Sequence, residues 1–259
     1  MKISIPILTV LAVSAVVVYS CKRDFPVAAS TSGTGSNAFL KIIDASPNFR
    51  KINNVPDSIN VYLGATKING SVLKFNTAYP STGLTYAAVT PGTYDLRLSV
   101  NGITTPDSFT VVKLSKTLVA GYYYTLVITD SISSSRDSSQ IWLRDAYPQP
   151  TAGVGYFYLR LVHAVADGIG DTVDLYSPRR NQVLLSKVKV DSTTPFISFA
   201  TILNSQDSLY VRKTGTGTIL AKISTLTFND QSFYTAYYIG DTAAAPAAKT
   251  RALAVYQNR

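Results

Sequence analysis

The sequence predicts an all-β chain: two tandem antiparallel β-sandwich domains of immunoglobulin-like kind, placed after a signal peptide and a flexible linker. Three observations lead there. All fifteen acidic residues are aspartate, so strong helix formers are scarce, while Val, Ile, Thr and seventeen Tyr favour strands. Short apolar runs are closed by turns rich in Gly, Pro and Asn. The same order of strand patterns then occurs twice, which marks an internal repeat.

The first element is an export segment over residues 1–20. Met1-Lys2 supplies a positive start, Ile3 to Val18 is almost wholly apolar, and Ser20 leads to Cys21, the order of a secretory signal peptide. The apolar run of about 16 residues measures ~24 Å as a helix, short of the ~30 Å of a bilayer core. An uncleaved anchor is the rival reading. Val18-Tyr19-Ser20-Cys21 resembles a bacterial lipobox of the relaxed, Bacteroidetes-type form, in which the cysteine is acylated and the chain is cut before it. Tyr19 stands where small residues are usual.

Cys21 is the only cysteine, so no internal disulfide can use it. Acylation gives the thiol a role, since each buried methylene contributes about 0.8 kcal/mol and two or three chains hold firmly where one holds marginally. The expectation is a lipid on Cys21 and attachment to the outer membrane, on its periplasmic or its outer side. After Cys21, residues 21–37 form the linker, ending in Ala28-Ala29-Ser30-Thr31-Ser32-Gly33-Thr34-Gly35-Ser36-Asn37, too small and polar to pack.

The two repeats are placed at residues 38–147 and 154–259, parted by the Pro- and Gly-bearing stretch Tyr147 to Gly153. Phe39-Leu40-Lys41-Ile42-Ile43-Asp44-Ala45 opens the first and Tyr158-Leu159-Arg160-Leu161-Val162-His163-Ala164 the second. Asp57 to Tyr62 answers Asp171 to Tyr176, Tyr94 to Leu98 answers Ser208 to Arg212, and Tyr124 to Asp130 answers Tyr234 to Asp241. Thr93 to Val100 shows the period of two most clearly, with Tyr94, Leu96, Leu98 and Val100 on one face. Pro91-Gly92 turns the chain into that strand, and Asn101-Gly102 turns it out.

Charge excludes one class of partner. Loss of residues 1–20 removes Lys2 alone and takes the formal charge from +9 to +8. The Lys and Arg are scattered, Arg179-Arg180 and Lys187/Lys189 being the densest places, and no basic helix or aromatic-flanked nucleic-acid motif is present. Nucleic acid is therefore not expected; a solvated basic face near anionic headgroups or glycans is.

Ile43-Asp44-Ala45-Ser46-Pro47, Ile59-Asn60-Val61-Tyr62, Thr90-Pro91-Gly92-Thr93-Tyr94 and Leu118-Val119-Ala120-Gly121-Tyr122, followed by Tyr124-Thr125, resemble the domain-of-unknown-function family 4397. Its members carry a strand with His-Ala-Ser-Pro, a Val-Asp-Val-Tyr strand, a Pro-Ala-Gly-Thr-Tyr corner and an Ala-Gly-x-x-Tyr-Thr strand. The resemblance covers Phe39 to about Tyr147 well and the second repeat more loosely, where His163 is kept but Ser-Pro and the Pro-Gly corner are not. Asp44 stands where the family tends to carry histidine. The resemblance implies exported, often lipid-anchored β proteins, and no reaction.

Candidate sites are few. His163, the only histidine, and Asp174 on the next strand form a candidate acid/base or ligand pair if those strands lie side by side; a hydrogen-bonded structural pair is the alternative. Zinc is not expected, since one His and a lipidated Cys are too few ligands. Asp167 to Asp174 has spaced carboxylates but not the calcium-loop spacing, and neither a carboxylate pair for glycoside hydrolysis nor a Gly-x-Ser-x-Gly elbow is found.

Eight of the fifteen aspartates are followed directly by Ser or Thr. Local turns explain this, because both side chains bond nearby backbone. The other reading is O-glycosylation at Ser58, Ser131, Thr172, Ser208 or Thr242, since Asp-Ser/Thr-apolar resembles the acceptor of exported Bacteroidetes-type proteins. Among the aromatics, Trp142 and Tyr147 near the joint are the candidates for sugar stacking. The expected function is a non-catalytic envelope lipoprotein serving display, adhesion or glycan binding, with no cofactor. Its partners would be the membrane, through the lipid, and a glycan or an envelope protein. The alternatives are a subunit of an envelope assembly and a hydrolase with its site near His163.

Overall fold

The computed structural model describes residues 35–47, 58–81, 86–100, 110–129, 140–148, 154–166, 172–202, 206–241 and 250–259. All regular structure among them is β. The first sandwich holds β1 (Ala38–Asp44), β2 (Ser58–Leu63), β3 (Thr66–Lys67), β4 (Leu73–Lys74), β5 (Thr77–Tyr79), β6 (Ala87–Val89), β7 (Gly92–Val100), β8 (Thr110–Leu118), β9 (Tyr123–Ile128) and β10 (Ile141–Arg144). The second begins with β11 (Tyr156–Ala166), β12 (Thr172–Ser177), β13 (Gln182–Lys189), β14 (Ser192–Thr193) and β15 (Ile197–Ala200). It ends with β16 (Asp207–Lys213), β17 (Ile219–Leu226), β18 (Phe233–Asp241) and β19 (Ala252–Gln257).

Each sandwich has two sheets. In the first, β10-β9-β1-β5, with β6 also on β1, faces β3-β2-β7-β8; in the second, β14-β11-β18-β19, with β15 on β11, faces β13-β12-β16-β17. Pairing is antiparallel except for β1 with β9 and β11 with β18, which run parallel. The intervening strands of each sandwich supply the long crossover that parallel neighbours require. The inner faces close separate cores, one around Leu40, Ile59, Leu98 and Leu126, the other around Leu159, Val173, Val211 and Ala236. As the alternation predicts, Leu96 and Leu98 are buried while Thr93 and Asp95 are exposed.

The register moves one equivalence by a residue. Val61 faces Leu98, and Leu175 faces Val211, so the β7 strand answers Asp207–Val211 and not Ser208–Arg212. A slip of one would put Arg212 into the core and Val211 outside, because side chains alternate between faces.

The sandwiches are stacked back to back. The outer face of β1-β9-β10 meets the outer face of β11-β18-β19, and Ile43, Val127 and Leu143 form one apolar cluster with Val162, Ala164 and Tyr237. β1 and β18 are consequently buried on both faces over most of their length. Four sheets lie in layers, and the middle interface is the joint between the repeats.

A candidate functional site at the joint

The joint is built from equivalent residues of the two repeats. Lys41 on β1 and Arg160 on β11 occupy the same strand position, and their side chains are 0% and 4% exposed. Each lies over an aromatic ring from the residue just before the neighbouring strand. Lys41 Nζ is 4.7 Å from the Tyr86 ring centre, and Arg160 Cζ is 4.5 Å from that of Phe196. On the next strand Thr125 answers Thr235. After β10 and β19, Asp145 answers Asn258, whose N–H groups donate to Tyr123 and Phe233 carbonyls at 2.8 and 2.7 Å.

One repeat thus brings a carboxylate where the other brings an amide. Thr125 donates to Asp145 Oδ2 at 2.5 Å, and Thr235 to Asn258 Oδ1 at 2.7 Å. Arg160 crosses the joint, its Nη2 donating to Asp145 Oδ1 at 2.5 Å while its Nε donates to Thr235 Oγ1 at 2.9 Å. The Tyr86 hydroxyl donates to Asp145 Oδ2 at 3.0 Å, accepts from Asn258 Nδ2 at 3.1 Å and is also bonded to the Tyr147 hydroxyl.

The Lys41 ammonium and the Arg160 guanidinium therefore both lie in the field of the Asp145 carboxylate, in a buried layer. Burial pulls the Lys41 ammonium down to about 8; Asp145 offsets part of that, and Arg160 adds to it. Burial acts on Arg160 in the same sense, but Asp145 beside it prevails and holds the guanidinium above its ordinary value. Burial, reinforced by Asp145, raises the Tyr86 and Tyr147 phenols.

A cleft of ≈ 470 Å³ opens beside this network, lined among others by Arg144, Tyr147, Pro148, Arg160, Thr194 and Phe196. The Tyr147 ring packs 5.5 Å from Phe196 and 5.1 Å from Phe233, which fixes the apolar wall. Arg144, also in that lining, is exposed and turns its side chain to the other face of β10, its guanidinium carbon 3.7 Å from the Tyr122 ring centre. On the same face of β10, Trp142 stacks on Tyr124 at 5.4 Å under Lys116 Nζ at 5.5 Å. A larger cleft of ≈ 950 Å³ lies at one end of the second sandwich, with Arg179, Asp207 and Asp230 in its lining. Its carboxylates are committed to the fold. Asp207 pairs with Arg180 at 2.9 Å, and Asp230 accepts from the Gly155 and Tyr156 N–H groups.

The candidates read from the sequence are scattered. His163 and Asp174 do not meet: β11 and β12 belong to opposite sheets, so their strands pack face to face and do not pair. His163 Nδ1 lies 3.2 Å from the Val188 carbonyl, with its ring 5.0 Å from Tyr238. Asp174 Oδ1 accepts from the Lys187 N–H at 2.8 Å and the Thr214 hydroxyl at 2.9 Å. It clasps the bulge in β13, where Lys187 has a φ of 55°. Trp142 stands half-buried beside the first core, and Tyr147, 7% exposed, in the joint wall.

Ser58, at the start of β2, is 6% exposed. Thr172 and Ser208 are half-buried at strand starts, and Asp207 Oδ1 accepts from the Ser208 N–H, the local bonding that explains the Asp-Ser pairs. Cys21, Ser131 and Thr242 lie outside the described residues, as does the run 167–171. No group of three or more His, Cys, Asp or Glu among the described residues could hold a metal ion. Lys41, Arg160, Asp145 and Tyr86 were not singled out by sequence reasoning; a basic residue repeated inside the apolar opening strand of both copies was their one trace.

Fold and joint together define a non-barrel, all-β chain of two stacked sandwiches. No family model matches the chain, and no curated protein matches it. Among solved structures it is similar to a crystal structure from Bacteroides thetaiotaomicron, a DUF1812 protein whose description conjectures polysaccharide binding. Identity is 12%, the match covers 79% of this chain and 92% of that one, and the TM-score is 0.20.

Proposed function

We propose that the chain is a non-catalytic, lipid-anchored binding module of the cell envelope whose ligand is a glycan. The joint cleft carries this reading: aromatic and proline walls, threonines and the Arg160 guanidinium line one concave site. Sugars offer C–H faces to such walls and hydroxyls to such polar groups. The binding reading, as against a catalytic one, is supported by the commitment of the interior's ionisable groups. Asp145 is held by Arg160, Asp207 by Arg180, Asp174 by the β13 bulge, and His163 is packed between sheets.

Cys21, at the end of the apolar run, would carry the lipid and the linker would hold the sandwiches off the outer membrane. Labelled palmitate should be incorporated by the native chain and not by Cys21→Ala. The binding test is a glycan array probed with the mature chain and with Ala146→Trp, which fills the cleft from an exposed lining position. Saturable binding that Ala146→Trp abolishes without changing its melting profile is expected. No glycan bound, together with a stable protein partner on crosslinking in cells, would replace this reading with that of an assembly subunit. Glycosylation of the protein itself, at Thr172 or Ser208 among the described residues, would show as an intact mass above that of peptide plus lipid.

A further inference from the structure

We infer that the outer face of β13-β12-β16-β17 docks on a bilayer surface of anionic phospholipid, with Lys189, Arg212 and Lys222 meeting the headgroup phosphates; this goes beyond the glycan reading and does not depend on it. The register places these side chains. Val173, Leu175, Leu209 and Val211 point into the second core, so Asp174, Tyr176, Tyr210 and Arg212 between them point away from it. Directly opposed residues share a face, and Val183, Tyr176, Tyr210 and Lys222 form one row across the four strands. At ~4.8 Å between strands the row is ~14 Å long. Lys189 lies opposite Thr172 on the same face, and Arg212 lies opposite Asp174.

Three observations make this face a membrane contact. First, its cations are uncommitted. The side chains of Lys189, Arg212 and Lys222 make no hydrogen bond or ion pair among the described residues, and the Arg212 guanidinium is held by stacking, its carbon 3.3 Å from the Tyr176 ring centre. Asp174 is the one carboxylate on the face among the described residues. It forms no ion pair with Arg212 and is turned to the Lys187 N–H and the Thr214 hydroxyl. Lys187, exposed at the bulge, adds a further positive charge.

Second, apolar side chains stand exposed among these cations. Val183 on β13 is 44% exposed and Ile219 on β17 is 47% exposed, with Tyr176 and Tyr210 half-buried between them. A bilayer interface takes both kinds, the aliphatic and phenol groups at headgroup depth and the ammonium groups at the phosphates. One extended saccharide would leave the edge strands uncovered, whereas a bilayer surface meets all four strands at once. Third, the face is open. In the first sandwich the matching residues of β2, Ser58, Asn60 and Tyr62, are buried, while alternate residues of β12 are half-exposed.

The test is sedimentation of the full mature chain, made without lipid as Cys21→Ala, with vesicles of phosphatidylcholine alone or of equimolar phosphatidylcholine and phosphatidylglycerol. Binding to the mixed vesicles should be at least tenfold the stronger and should weaken with added salt. A basic residue near an anionic surface contributes about fivefold in affinity. Lys189→Gln combined with Lys222→Gln should therefore weaken binding at least fivefold with the melting temperature unchanged. Lys67→Gln combined with Lys74→Gln removes the same charge from exposed positions of the first sandwich and should weaken it less than twofold. Equal losses in the two double variants would overturn the docking face, as would equal binding to the two kinds of vesicle or binding to neither. Capture of polygalacturonate without vesicle binding, lost in the Lys189→Gln, Lys222→Gln chain, would give the face to an acidic polysaccharide instead.

Discussion

Arg160 of the second sandwich reaches across the joint to Asp145 of the first, Nη2 to Oδ1 at 2.5 Å, and both side chains are shut off from solvent. The same strand position in the first repeat holds Lys41, and the equivalent of Asp145 in the second repeat is the uncharged Asn258. The joint is thus a duplicated structure with a carboxylate in one repeat and an amide in the other, and this asymmetry governs how it should respond to substitution and to pH.

Breaking the crossing pair leaves a buried charge uncompensated, whereas removing both partners leaves none. Arg160→Met and Asp145→Leu should each lower stability by about 3 to 5 kcal/mol. The double variant should recover at least half of the summed loss. Urea unfolding of the four proteins measures the coupling, and strict additivity would show that the two do not act as a pair.

Lys41 makes stability rise with alkali. Its pKa in the folded chain, about 8, lies below the ordinary 10.5, so between those values the unfolded chain binds more protons and folding gains as pH climbs. Below pH 8 the penalty is fully present. The buried phenols Tyr86, Tyr147 and Tyr237 act oppositely, since raised pKa values cost stability once unfolded tyrosine ionises near pH 10. Stability should therefore increase by about 1 kcal/mol from pH 8 to between pH 9 and 10 and then fall. Lys41→Met should show no such rise in thermal melts across that range.

Restoring the missing charge tests the symmetry directly. Asn258→Asp puts a carboxylate where Asp145 stands in the other repeat, with the Thr235 hydroxyl already placed to bond it. The Lys41 ammonium should then titrate nearer its ordinary value and the stability rise above pH 8 should shrink. An unchanged pH profile in Asn258→Asp would mean that Lys41 does not sense that position.

His163 and Asp174 should prove separable, as their different sheets require. Asp174→Ala removes the acceptor that holds the Lys187 N–H and the Thr214 hydroxyl, and should cost about 1 to 3 kcal/mol. His163→Phe keeps the packing on Tyr238 and should leave ligand binding intact. A double-mutant cycle between the two should give a coupling near zero; a strong coupling would restore them as a pair.

Much of the fold was legible because strand signals are local. Alternation in Thr93 to Val100, the Pro91-Gly92 corner and the matching openings at Phe39 and Tyr158 each depend on a few neighbouring residues, and β7, β1 and β11 follow from them. The candidate site was not legible in the same way. Tyr147 and Trp142 were picked out for being aromatic near the joint, yet one is wall and the other packs beside the first core. The His163–Asp174 pairing failed because sequence order does not say whether two successive strands share a sheet or face each other across a core.

The sequence by itself determined an all-β chain carrying one strand pattern twice, since composition and period-two alternation act over a few residues. Only the tertiary structure decided that the repeats are stacked back to back. A strand face turned outward from its own sandwich reads the same whether water or a second sandwich covers it. Lys41 and Arg160 look in sequence like the solvent side of an alternating strand; the joint buries both, pairs Arg160 with Asp145 of the other repeat and leaves Arg160 in the lining of the cleft.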